Sequence, residues 1–98
     1  MKQITLGTTG ITVPQNAFGA LPIQRVSADE AVRLLRRARE GGMRFFDTAR
    51  AYTDSEEKLG LAFGGQWDGL YVATKTAAKT PAAFRADLET SLRLLQRD

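Results

Sequence analysis

Three ionisable side chains stand where a short apolar run gives way to a polar loop: Asp47 after Phe45-Phe46, Lys75 after Val72-Ala73-Thr74, and Tyr52 just beyond Asp47. An acid, an amine and a phenol so placed are equipped to move a proton. A carboxylate can hold an ammonium, and an ammonium beside a phenol favours the phenolate. Tyr52 with Lys75 at its side could then protonate a developing alkoxide while Asp47 holds the lysine. The reaction class is delivery of a proton to a carbonyl oxygen as hydride reaches the carbon. Each residue also has a plainer reading, since an Asp can cap a loop, a Tyr can pack, and a strand-end Lys commonly meets water.

Side chains alternate along a strand. Asp47 therefore shares a face with Phe45 and Met43, and Lys75 shares one with Ala73 and Tyr71. Both faces are otherwise apolar, which directs the two charged ends into one interior. Adjacent parallel strands would bring them within salt-bridge range.

The chain has 98 residues and contains neither Cys nor His. Thiolate nucleophiles, disulfides, Ser-His-Asp chemistry and Cys- or His-liganded metals are excluded by those absences. Catalysis has to run on carboxylates, Lys, Tyr or Arg, and no metal site is expected. A composition 43% hydrophobic and 26% charged is that of a soluble globular chain. The net charge of +3 comes from basic residues interleaved with acidic ones, so nucleic acid, which needs a clustered basic stripe, is not an expected partner. No apolar run approaches the roughly 20 residues that cross a bilayer, and the start lacks the apolar core of a signal peptide. Neither a membrane partner nor export is expected, and a cytoplasmic location is the default.

The elements that must position the three groups follow from periodicity and punctuation. Residues 3–6 and 11–13 flank Gly7-Thr8-Thr9-Gly10 as a β-hairpin ended by Pro14, so residues 1–14 form a leading hairpin. Residues 17–20 read as a short buried strand stopped by Pro22. Ser27 and Glu30 form a capping box for a helix with Ala31, Leu34, Leu35 and Ala38 on its inner stripe. Arg33, Arg36, Arg37 and Arg39 give that helix a solvated outer face, and Gly41-Gly42 close it. A second strand, 43–46, leads to a helix capped by Asp54 and closed by Gly64-Gly65, with Glu56 and Glu57 favouring the positive end of its dipole. A third strand, 70–75, leads to a helix opened by Thr80-Pro81, with Phe84, Leu88, Leu92 and Leu95 along one stripe. Strands alternating with amphipathic helices mean parallel α/β architecture with right-handed crossovers, and short apolar strands fit a sheet covered on both faces. A doubly wound sheet and a (β/α)8 barrel both satisfy the pattern. The Gly-x-Gly-x-x-Gly fingerprint is absent, because Phe18-Gly19-Ala20-Leu21 lacks the other glycines.

The run from Phe46-Asp47-Thr48-Ala49 through Tyr52 and Ser55-Glu56-Glu57-Lys58-Leu59-Gly60, with Ala73-Thr74-Lys75 and Leu88-Glu89-Thr90-Ser91-Leu92-Arg93-Leu94-Leu95, resembles the N-terminal part of an aldo-keto reductase. The resemblance covers essentially the whole chain. It implies the N-terminal portion of a (β/α)8 TIM barrel, a single partial domain over residues 1–98 with about three strand-helix units. The leading hairpin would cap the barrel's bottom. It further implies reduction of aldehydes and ketones to alcohols with NADPH, NADH being a second candidate, by a tetrad of Asp, Tyr, Lys and His. By motif these are Asp47, Tyr52 and Lys75, while Gly19, Ala20, Leu21 and Asp47 would face the cofactor. The family's His comes at the end of a fourth strand and has no counterpart here. A full barrel takes about 250 residues, so the resemblance implies an incomplete site and a chain inactive by itself. The run Leu21-Pro22-Ile23-Gln24-Arg25 is similar to a bacterial and archaeal branch that often carries a C-terminal iron-sulfur segment. The partners implied are a small carbonyl substrate and either the remainder of the barrel or a second copy joined through open sheet edges, near apolar residues such as Phe45 and Tyr71. The alternative is a non-catalytic module for cofactor sensing or interaction, a role some members of that family serve.

Overall fold

The computed structural model describes residues 1–98 and begins with an antiparallel hairpin, β1 (Gln3–Thr5) and β2 (Thr12–Pro14), in which Ile4 lies opposite Val13. Gly7 and Gly10, at φ +54° and +79°, supply the left-handed backbone that the turn requires. Three short parallel strands follow: β3 (Phe18–Gly19), β4 (Phe45–Asp47) and β5 (Tyr71–Ala73). They lie side by side in chain order. Phe18, Phe46 and Val72 share one rung, and Gly19, Asp47 and Ala73 share the next. Helices α1 (Ala28–Glu40), α2 (Ser55–Phe63) and α3 (Pro81–Leu95) come after the strands in turn, and a 3-10 helix (Leu21–Arg25) lies between β3 and α1.

Helix α2 packs against both α1 and α3, so the helices form one layer over one face of the sheet. A doubly wound fold needs a reversal of strand order and helices on both faces. Sequential strands beneath a single helix layer are the N-terminal portion of a (β/α)8 barrel. Phe46 is fully buried at the centre of the interface, with the Phe18 and Phe63 ring centres 5.7 and 4.9 Å away. Ala31 and Leu35 from α1, Leu59 and Ala62 from α2, and Leu95 from α3 surround these rings, with Ile23, Trp67 and Leu70 beside them. Each fully buried Leu or Phe contributes about 1.5–3 kcal/mol. The buried Trp67 Nε1–H donates to Leu95 O at 2.9 Å, tying the end of α3 to the segment before β5.

Several local expectations change on packing. Ser27 Oγ accepts from Glu30 N at 3.2 Å, but the Glu30 carboxylate turns to Arg33 at 3.2 Å and leaves the capping box half formed. Thr80 does cap α3, accepting from Ala83 N at 3.1 Å. Leu34 is exposed, standing off the line through Ala31 and Leu35 that faces the core. Two of the expected outer-face arginines are engaged with α2: Arg36 Nε donates to Ala62 O at 3.3 Å, and the Arg39 guanidinium lies 6.0 Å from the Phe63 ring centre. The first parallel strand is not uniformly buried, since Gly19 is exposed on the face away from the helices. Tyr71 is exposed on that face too, so the helices cover one side of the sheet only. Phe84 and Leu88 are also exposed, because the α3 stripe is buried only at its C-terminal end, at Ser91 and Leu95.

The contact between α2 and α3 depends on Gly60, where an added Cβ would stand 1.9 Å from Leu94 O. Gly60→Ala should therefore cost at least the ~1–3 kcal/mol typical of overpacking, read as a lower urea midpoint. Gly41→Ala, whose methyl would meet only carbonyl oxygens at 3.5 Å, should stay within about 0.5 kcal/mol of the parent.

Candidate active site

The pleat of β4 sends Phe46 into the core and Asp47 to the opposite face, at the C-terminal end of the strand. Strand-like pairing continues past that end: Thr48 N donates to Ala73 O at 2.8 Å and Arg50 N to Lys75 O at 2.9 Å. The loop that carries Tyr52 is thereby laid alongside the segment that carries Lys75. The structure brings the three candidate residues together. Lys75 Nζ is 3.3 Å from Asp47 Oδ2, donates to Thr48 O at 2.5 Å, and lies 5.1 Å from the Tyr52 ring centre, within cation–π range. The Lys75 and Asp47 side chains are 53% and 45% exposed, so their ion pair adds only about 0–1 kcal/mol to stability. Its effect is to aim the amine.

The residues expected to face a cofactor divide into two groups. Gly19 pairs with Asp47 in the last rung, and no atom lies within 4 Å of where its Cβ would be. Leu21 is exposed beside it. Ala20 is turned away: it is fully buried, its N–H donates to Asp47 O at 2.8 Å, and its carbonyl accepts from Ser55 Oγ at 3.1 Å. Gly19, Leu21 and Asp47 thus border open space, and Ala20 anchors them from behind.

Beneath these groups lies a polar layer that sequence reasoning did not find. Buried Thr48 and Ser55 join their hydroxyls at 2.7 Å, which staples the start of the loop to the start of α2. Thr53 has a positive φ of 43°, and its hydroxyl donates to Gln24 Oε1 at 2.9 Å. Lys58 Nζ, buried, donates to Ile23 O at 2.8 Å and Val26 O at 2.7 Å, and pairs with Asp54 Oδ2 at 3.0 Å. Asp54 was expected as a helix cap, but its side chain makes no cap hydrogen bond and serves this lysine instead. Glu56 was expected only as a charge in the first turn. Its side chain is fully buried, with Arg50 Nη1 2.6 Å from Oε1 and Thr74 Oγ1 donating to Oε2 at 2.8 Å.

One signal for this layer was present. Ser55, Lys58 and Ala62 fall three and four residues apart on one side of α2, and the packing buries that side. Arg50 carried no such signal, because a loop residue has no period, and the parity of Thr74 set it on the helix side without naming a partner.

The Aldo/keto reductase family matches residues 3–98. Comparison with curated proteins gave no match. Among solved structures, a Pseudomonas aeruginosa protein assigned to the aldo-keto reductases is 32% identical with a TM-score of 0.85, over 98% of this chain and 42% of that one. Aldo-keto reductase AKR11C1 of Bacillus halodurans is 27% identical with a TM-score of 0.88, over 100% of this chain and 37% of that one. An aldo-keto reductase of Klebsiella pneumoniae in complex with NADPH is 29% identical with a TM-score of 0.82, over 91% of this chain and 34% of that one. The chain spans about two-fifths or less of the length of these solved structures.

Breaking the buried pair tests the polar layer. Arg50→Ala leaves the Glu56 carboxylate buried with Thr74 as its remaining partner, and should cost about 3–5 kcal/mol in urea unfolding. The double variant Arg50→Ala/Glu56→Gln, which removes the stranded charge as well, should be less destabilised than the single one.

Proposed function

Because the chain belongs to the aldo/keto reductase family, we propose that its strand-end cluster serves NADPH-dependent reduction of aldehydes and ketones to alcohols. The observation that carries this reading is the convergence of Asp47, Tyr52 and Lys75, with Lys75 Nζ 3.3 Å from the carboxylate and 5.1 Å from the phenol ring centre. When bound, NADPH supplies the hydride that reaches the carbonyl carbon. Tyr52 releases its phenolic proton to the carbonyl oxygen as negative charge grows there, which yields the alcohol. The Lys75 ammonium offsets the charge left on the phenol oxygen, and Tyr52 is reprotonated from solvent. Asp47 and the Thr48 carbonyl keep the ammonium in place.

The residues present suit a flat nicotinamide ring. Gly19 offers an open rung where a larger side chain would intrude, with Leu21 and Asp47 at its borders. NADPH as the cofactor is supported by the Klebsiella pneumoniae relative, which was solved in complex with it. NADH is the second candidate. In this reading residues 1–98 form a partial domain with the hairpin as a cap. Further strand-helix units complete the barrel and supply the His that these residues lack, and the chain alone does not turn over substrate. A second reading, a non-catalytic interaction module that pairs with itself or with other barrel units, draws on Phe84, Leu88 and Tyr71, apolar side chains left exposed on α3 and the open sheet face.

A chimera tests both readings, with residues 1–98 joined to the remaining units of the Pseudomonas aeruginosa relative. It should oxidise NADPH when given an aldehyde, and the 98-residue chain alone should not. Tyr52→Phe in the chimera should lower kcat by about 10²–10⁴-fold while NADPH still binds. An undiminished rate in that variant removes Tyr52 from the role assigned to it. Concentration-dependent association of the chain, with no turnover by the chimera, favours the module.

A further inference from the structure

Glu56 is 1% exposed and takes no part in the chemistry above. A carboxylate taken out of water is tolerable only if its oxygens are paired, and the partners of Glu56 come from two different elements. Arg50, on the loop that carries Tyr52, lies 2.6 Å from Oε1. Thr74, the residue before Lys75, donates to Oε2 at 2.8 Å. Arg50 also grips the loop beyond itself, with Nη2 donating to Thr53 O at 3.3 Å, and its backbone N–H reaches Lys75 O at 2.9 Å. The phenol and the amine therefore each sit within two residues of a contact to this one carboxylate.

Asp47 and the Thr48 carbonyl aim the amine, but an exposed, solvent-screened ion pair adds little to holding the two backbone segments together. The Glu56 carboxylate itself is shielded, and its ion pair with the largely covered Arg50 side chain is screened less than the surface pair. Stability alone does not call for a charge here, since well-packed apolar residues often replace a buried ion pair at no cost. A two-armed carboxylate does what an apolar residue cannot, joining two specific backbone segments at a set separation.

We propose that Glu56 is a positioning residue whose two oxygens fix the Tyr52 loop, through Arg50, against the Lys75 strand end, through Thr74. Its catalytic consequence rests on the reductase reading, but the geometry it sets can be tested without it. In the 98-residue chain, NMR should show nuclear Overhauser contacts between the Tyr52 ring and the Lys75 side chain. Thr74→Val removes the hydroxyl at nearly constant volume and should weaken or abolish those contacts. It should also speed exchange of the Arg50 amide by about tenfold, the worth of one hydrogen bond. Thr74→Ser should restore both. Arg50→Lys, which keeps the charge but loses the fork, probes the same link from the loop side should Thr74→Val not fold. Folded variants with parental Tyr52–Lys75 contacts and parental exchange overturn the proposal. That outcome leaves the Tyr52→Phe test of the reductase reading standing, and loss of the reductase reading leaves this one standing.

Discussion

Phe46 and Asp47 are consecutive residues of one parallel strand, and the pleat sends them to opposite faces of the sheet. The first fills the space under the helices, with Phe18 and Phe63 against it. The second stands at the mouth of the sheet beside Gly19 and Ala73. A register slip of one residue would exchange their places, burying the acid and exposing the ring. Core and site are therefore specified by one alternation. The burial free energy of Phe46 thereby also keeps Asp47 on the open face.

Around that strand the polar groups fall into two layers with different duties. Asp47 and Lys75 are half exposed and contribute little to stability. Thr48, Ser55, Glu56 and Lys58 are buried and bonded to fixed partners. They link β4, the 3-10 helix, α2 and the end of β5 into one frame. The exposed charged groups are carried on buried, bonded supports.

The face of the sheet away from the helices has a different character. Gly19, Phe45, Tyr71 and Ala73 line it with small or aromatic groups, and the helix layer does not reach them. In a barrel this face turns inward and other strands cover it. The same logic applies to Phe84 and Leu88 on α3, whose stripe is covered only near Leu95. Under the proposed reading, these uncovered apolar positions are where neighbouring barrel units would pack.

Alternating apolar strands and amphipathic helices, Gly and Pro punctuation, and the caps at Ser27 and Thr80 were legible in the sequence, because each is a local property of backbone and side-chain type. So were Asp47, Tyr52 and Lys75 as a set, since strand ends and the face parity of Phe45, Asp47, Ala73 and Lys75 follow from a period of two. The sequence by itself thus determined the parallel α/β units and where their charged strand ends lie. It did not determine that the helices share one layer, that Ala20 turns away from the open rung, or that Arg36, Arg39 and Leu34 depart from their expected faces. Nor did it reveal Glu56 held between Arg50 and Thr74. Those outcomes depend on which distant segments meet, and only the tertiary structure decides that. A carboxylate in the first turn of a helix is stable in water or inside the protein, and the choice is made by whether partners arrive from elsewhere in the chain.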